Sequence, residues 1–289
     1  MRTTSALLAL VAAVPAVLAQ NFTQGKLGFA LGTKLPNGNC KTQADYESDF
    51  DAISSQTGSK IVRGYSASDC NFAQYILPAA KSKSFQVILG IWPDTDDGWI
   101  PGKAAVIEYA PQFKEQVYAV TVGSEGLYRK SYTADSLLEK INEIKKALPD
   151  VKVGTADSWN KWTDGTADPL IKGGVTFILA NAFAFWQGNN VGSGAEFTYF
   201  DDVQQALGHI QALTGSLDGF EFWNGETGWP TDGGSNYRSA EAGTSNAATF
   251  YKDSVCAMLD WGVNVFYFEA FDEPYVATFP TFLLKFADL

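Results

Sequence analysis

Two glutamates stand at the ends of apolar, strand-like runs: Glu125 in VTVGSEGLYR and Glu226 in GFEFWNGETGWPTDGG. Glycine, amide or aromatic residues flank each, and no Lys or Arg lies next to Glu226 in the sequence. One such glutamate alone is more often a cap or half of a salt bridge. A pair offers chemistry: one carboxylic acid protonates a leaving oxygen while the other attacks or activates water, which is what cleaving a glycosidic bond requires. Other chemistries lack their parts. The single histidine, His209, lies in the helical DDVQQALGHIQALTG and reads as a partly buried helix residue. Ser-His-Asp, Cys-His and His-rich zinc arrangements would all need that one side chain. There is no CxxC and no GxxxxGK[ST], and GFALGTKLPNG does not fit a dinucleotide fingerprint. No metal and no cofactor is expected.

The two acids must be positioned by a scaffold, and the chain's periodicity supplies one. Strand-like runs fall at 27–32, 60–66, 85–92, 117–125, 151–159, 176–186, 219–226 and 263–271, eight in all. Helical patterns separate them at 42–56, 69–83, 103–115, 134–148, 200–214 and 245–261. The clearest is TADSLLEKINEIKKALP, where Thr133 caps the start, Leu137, Leu138, Ile141, Ile144 and Leu148 share a face, and Pro149 ends it. Strand and helix alternate without a hairpin signal, so the units are parallel βαβ. Eight of them in about 270 residues favour a (β/α)8 TIM barrel over an open doubly wound sheet.

A barrel presents its strands' C-terminal ends at one mouth. Glu125 then ends the fourth strand and Glu226 the seventh, roughly across the mouth from each other. Glu221 and Glu269 sit inside apolar strands, where an unpaired buried carboxylate is costly, so each must point into a polar mouth or be paired. Asp272 and Glu273, at the end of the eighth strand, suit sugar hydroxyls. Tyr65, Trp92, Trp159, Phe185, Trp186 and Trp229 fall near strand ends and offer flat faces for pyranose rings. Trp223 and Trp261 are assigned to packing.

The bulk composition agrees with a large single domain. Apolar residues make up 46% of the 289, and aromatics 14% with eight Trp. The formal charge of −11, with no Lys/Arg cluster, makes nucleic acid and anionic membranes poor partners. Residues 1–19 carry Arg2, an apolar run and small residues before a cut after Ala19, the pattern of a secretory signal peptide. That run is too short to span a bilayer, no later segment is apolar enough to anchor one, and residues 20–289 form one barrel domain, expected as a monomer. Asn21-Phe22-Thr23 is a glycosylation sequon available to a secreted chain. Three cysteines, Cys40, Cys70 and Cys256, permit one disulfide and leave one thiol over, with the pair undetermined by spacing.

VTVGSEGLYR, NAFAFWQG, FWNGETGWPTDG and FYFEAFDEP together resemble the fungal cell-wall branch of glycoside hydrolase family 17, the endo-β-1,3-glucanases and glucanosyltransferases, over about residues 27–274. The resemblance implies a β-1,3-glucan substrate and a retaining mechanism, with Glu226 as nucleophile and Glu125 as acid/base. Tyr65 and Glu273 match positions lining the sugar site; Asn181, Trp159, Phe185 and Trp229 complete the expected substrate-binding set. Relatives usually carry Tyr where this chain has Phe185, which removes a hydroxyl. Cys40 and Cys70 match a family pair, leaving Cys256 single. Relatives also continue past the strand-eight acid with a longer loop, a helix and a further Cys. Here YVATFPTFLLKFADL follows, so the closing helix is expected to be absent or confined to 281–289. Two other readings stay open: a catalytically weak glucan-binding or structural wall protein, and a barrel acting on a different β-glycan.

Overall fold

A computed structural model describes residues 23–231 and 236–273. The leader at 1–19, the Asn21 sequon and the tail beyond 273 lie outside the described residues. Eight parallel strands close a barrel in chain order: β1 (Leu27–Ala30), β2 (Ile61–Arg63), β3 (Gln86–Ile91), β4 (Val117–Ser124), β5 (Val153–Ser158), β6 (Phe177–Asn181), β7 (Glu221–Thr227) and β8 (Asn264–Tyr267), with β8 pairing back to β1. The expected strands are all present and most are shorter at their C-terminal ends. Aromatic residues there extended the apparent runs, but the chain has already left the sheet: Ala184–Gln187, for example, is a 3₁₀ turn beyond β6.

Helices α1 (Gln43–Thr57), α2 (Phe72–Lys83), α3 (Asp96–Tyr109), α4 (Ala134–Ala147), α5 (Asp168–Lys172), α6 (Ser193–Thr214), α7 (Thr244–Phe250) and α8 (Cys256–Asp260) surround the strands. In α4 the Thr133 hydroxyl accepts from the Ser136 amide, and Leu137, Ile141 and Ile144 are buried, so the 3.6-residue pattern directly marks the core face. By contrast α3 begins seven residues before its expected start. DDGWIPG reads as a breaker, yet Thr95 with Asp96 and Asp97 in the first turn starts the helix, and Pro101 is carried inside it. The five-residue α5 is too short to show a period.

Two cores result. Ile61, Ile88, Ala119, Ala156, Phe177, Leu179, Trp223 and Phe266, drawn from seven of the strands, fill the barrel, with Trp223 stacked on Phe266 at 4.6 Å between centroids. The larger core lies between strands and helices. Glu221, near the start of β7, is paired at the end of the barrel away from the mouth: it accepts from Lys152 Nζ at 2.7 Å, Trp223 Nε1 at 2.9 Å and the Tyr118 hydroxyl. Burial alone would raise its pKa, but these donors hold it below the usual carboxylate value.

Strands β4 and β7 are irregular in register, and on each an irregularity lies where an acid is delivered; β4 has a further one near its start, where Val87 faces Val117 but Ile88 faces Ala119. On β7, Ala180 faces Asn224 and Asn181 faces Glu226, so Gly225 is an extra residue; Asn224 and Thr227 face Val265 and Tyr267, which counts one extra on the other side too. On β4, Thr121 and Ser124 face Gly154 and Ala156, again one residue too many. A bulge of this kind turns the following side chains relative to the pleat.

A disulfide joins Cys40 to Cys70, linking the segment after β1 to the segment after β2. Cys256 is free. No helix among the described residues is long and apolar enough to cross a membrane. His209 on α6 bonds Asp168 at 2.8 Å and ties α6 to α5.

Candidate active site

The β7 bulge presents Glu226 at the barrel mouth, with its carboxylate almost wholly buried. Gly225 is required there. A Cβ at that position would sit 2.6 Å from Asn181 Oδ1, 2.8 Å from Leu179 Cβ and 3.2 Å from an Arg63 nitrogen. Only glycine lets β7 pass so close to its neighbours.

Although no cation lies near Glu226 in the sequence, the fold brings one. Arg63, the last residue of β2 and 1% exposed, donates from Nη1 to Glu226 Oε1 at 3.1 Å and to the Gly225 carbonyl at 2.7 Å. Its Nη2 donates to Ser124 Oγ at 3.1 Å, and Ser124 donates in turn to Glu226 Oε1 at 3.2 Å. The hydrogen bonds from Arg63 and Ser124 both fall on Oε1. The guanidinium compensates a charge that burial would otherwise make costly.

Glu125 follows β4 directly. Its φ of +56° places it in the left-handed region that residues with side chains rarely occupy, so its side chain leaves the strand at an unusual angle. Asn181 Nδ2, at the end of β6, donates to Glu125 Oε1 at 3.2 Å and reaches Ser124 Oγ at 3.5 Å. Glu125, Asn181, Ser124 and Glu226 therefore form one connected group across β4, β6 and β7. Burial, then the charge of Glu226, pushes the Glu125 carboxyl up to about 7 against the pull of the Asn181 bond. One acid of the pair thus holds a proton near neutrality beside a charge-compensated partner, the division of roles that acid-assisted nucleophilic displacement uses.

Tyr65 lies over Arg63, its ring 4.7 Å from the guanidinium, and meets Phe268 edge-on. Its hydroxyl is buried near the Glu226 carboxylate; burial first and the Glu226 charge second push its pKa well above the usual phenol value. Trp159 opens a 3₁₀ turn just after β5 and is half-buried. Glu273 lies against Gly32, where a Cβ would meet its carboxyl at 1.3 Å. Glu269, after β8, is a further acid of the mouth. Burial, then Glu273, pushes it up to about 9, with Lys41 opposing.

Two expected sugar walls are corrected. Trp229 and Phe185 are fully buried and pack on each other with ring centroids 5.1 Å apart. Trp229 also packs on Phe250, and its Nε1 donates to the Glu241 carbonyl at 2.8 Å, so it braces the back of β7 and offers no face to a ligand. Trp92 and Trp186 remain half-buried, Trp92 with Arg129 4.7 Å over its ring and Trp186 edge-on to Tyr237. Trp223 packs inside the barrel as expected, whereas Trp261 is 43% exposed beside Phe200. Arg63 and Ser124 are site residues that sequence reasoning missed. The glycine that precedes each acid, in VGSE and NGET, was the signal available, since Gly within a strand marks a bulge or a close approach.

Known proteins resemble this chain in sequence and in fold. Residues 28–281 match the family described as the BtgE/BtgC glycoside hydrolase domain. A glucan 1,3-beta-glucosidase of Arthroderma benhamiae is 52% identical over 277 residues, covering 95% of this chain and 87% of that protein. A glucan 1,3-beta-glucosidase of Saccharomyces cerevisiae is 43% identical over 261 residues, 86% of this chain and 82% of that one. Among solved structures, a glycoside hydrolase family 17 beta-1,3-glucanosyltransferase from Rhizomucor miehei superposes with a TM-score of 0.75 at 28% identity, over 86% of this chain and 88% of that one. An active-site mutant of that transferase, in complex with laminaritriose, gives the same TM-score over 87% and 89%. With the match running from β1 to beyond β8, the chain belongs to the BtgE/BtgC family of glycoside hydrolase domains.

Proposed function

We propose that the chain is a secreted, retaining enzyme of the fungal cell wall that cuts β-1,3-glucan and passes the severed chain to water or to a second glucan. Action on β-1,3-glucan follows from the family and from the activities named for its relatives. The observation that carries the mechanism is the linked pair at the mouth, Glu125 and Glu226, joined through Asn181 and Ser124. We read the mature protein as a single barrel domain released from the 1–19 leader.

In this mechanism Glu226 Oε2 attacks the anomeric carbon while Arg63 and Ser124 hold Oε1, so the nucleophile is anchored by one oxygen and reactive at the other. Glu125 gives its proton to the departing glucan oxygen. Once Glu226 is bonded to the sugar its negative charge is gone, which removes the main charge holding Glu125 protonated. Glu125 then takes a proton from the incoming water or sugar hydroxyl, and the glycosyl–Glu226 ester breaks. Hydrolysis and transfer use the same groups and differ only in the acceptor.

Incubation with laminari-oligosaccharides tests the reading. Shorter products alone indicate hydrolysis, and longer or branched products indicate transfer. If wild type and Glu226→Ala bind glucan equally and neither converts it, the chain is a glucan-binding wall protein instead.

A further inference from the structure

Glu125 departs from β4 in a left-handed conformation that its own side chain disfavours, so something outside the residue must hold it there. Upstream it is fixed by the sheet, its amide donating to the Ala156 carbonyl of β5 at 3.1 Å. Downstream the chain turns through 126–131, with the Arg129 amide donating to the Glu125 carbonyl at 2.9 Å and the Ser131 amide to the Gly126 carbonyl at 2.8 Å. Among the described residues, the side chain that reaches the backbone of this turn from another strand is Asp157 of β5. Its Oδ2 accepts from the Leu127 amide at 2.8 Å, and its Oδ1 from the Tyr128 amide at 3.1 Å and the Ser158 amide at 2.9 Å. Asp157 is fully buried, and these three backbone bonds take up both of its oxygens. A buried carboxylate spent wholly on backbone amides, two of the three in one turn, is costly unless the turn's placement matters.

We propose that Asp157 is the positioning residue for Glu125: its carboxylate clamps the Leu127 and Tyr128 amides and thereby fixes the turn that directs the Glu125 carboxyl toward Asn181 and Glu226. This rests on Glu125 being the acid/base. Asp157 also acts through charge. The groups facing Glu125 are Glu226 from β7, Asn181 from β6, Asp157 from β5 and Arg129 from its own turn; Glu226 and Asp157 favour the protonated acid, and Asn181 and Arg129 oppose it. Clamp and charge therefore work together, one aiming the proton and the other retaining it.

The test compares two substrates in the full chain carrying Asp157→Asn or Asp157→Ser. One is a β-1,3-gluco-oligosaccharide, whose leaving alkoxide needs a proton. The other is the dinitrophenyl glycoside of the same sugar, whose leaving phenolate needs none. Positioning of the acid predicts that kcat on the oligosaccharide falls about 10- to 100-fold while the rate of dinitrophenolate release in the first turnover changes little. The ratio of the two rates is independent of how much of a variant folds, so partial misfolding does not disguise the result. In Asp157→Asn the alkaline limb of kcat/KM also moves to lower pH, because a charge favouring protonated Glu125 is gone. A proportional loss on both substrates with an unmoved limb means that Asp157 merely supports the fold, and the inference is wrong. Glu125→Gln is the control. If it leaves the ratio unchanged, the acid assignment itself fails; if it raises the ratio and the Asp157 variants do not, only the clamp fails.

Discussion

At the residue scale, two carboxyl groups in one mouth are kept different by their neighbours. Glu226 has a buried guanidinium on one oxygen, whereas Glu125 has an amide and sits near a negative charge. Glu125 acts as an acid only while protonated, and burial with the Glu226 charge raises it to about 7. Its loss of a proton therefore predicts that kcat/KM on glucan falls as pH rises through about 7, approaching tenfold per unit beyond, measured as initial rates across a pH series. Arg63→Ala leaves Glu226 buried without its counter-charge. The expected cost is about 3–5 kcal/mol of stability, read by denaturant unfolding, together with a fall in kcat. None of this electrostatic arrangement was visible locally, because Arg63 and Glu226 are 163 residues apart and meet only when β2 and β7 cross the same mouth. Trp229 illustrates the opposite error. Standing three residues after the acid it looked like a sugar wall, yet the turn out of β7 sends it behind the strand into the helix layer.

At the element scale, strands deliver the acids and glycines decide how. Gly225→Ala forces Asn181, Leu179 or Arg63 to move, because the added Cβ meets all three within 3.2 Å. The expected outcome is a loss of about 1–3 kcal/mol and a kcat reduced more than KM is raised, since Asn181 and Arg63 hold the two acids. Equal binding and turnover in that variant would remove the bulge from the account. The Cys40–Cys70 disulfide closes a separation of 30 residues between the segments after β1 and β2. The loop-entropy relation makes it worth about 3–4 kcal/mol, so Cys70→Ser should lower the unfolding free energy by roughly that amount. Strand number, order and parallel pairing were legible because β-branched runs and helical periods alternate along the chain. The bulges were not, since they depend on pairing register, which no single strand encodes. Helix starts were misplaced where Gly and Pro suggested breaks, as in α3, or where the stretch carried no clear apolar face, as at the start of α6.

At the scale of the whole molecule, buried acids set the pH at which the barrel is most stable. In the folded state burial raises Glu125 and Asp202 to about 7, Asp157 to about 6 and Glu269 to about 9. Between the ordinary carboxylate range and those values the native state binds more protons than the unfolded chain, so stability falls as pH rises. Asp45, Asp164, Asp168 and Glu221 are shifted the other way, and their contribution is lost as pH drops below the ordinary carboxylate range. Tm is therefore expected to be higher at pH 5 than at pH 8, and a scanning calorimetry series that shows the reverse order would sink this assignment. The central claim, that Glu226 forms a covalent bond to the sugar with Glu125 as its acid/base partner, is most directly tested by trapping. Incubation with a 2-fluoro laminaribiosyl donor bearing a dinitrophenyl leaving group, followed by peptide mass mapping, should place a single glycosyl adduct on Glu226; turnover of glucan with no adduct, or an adduct on another residue, contradicts it.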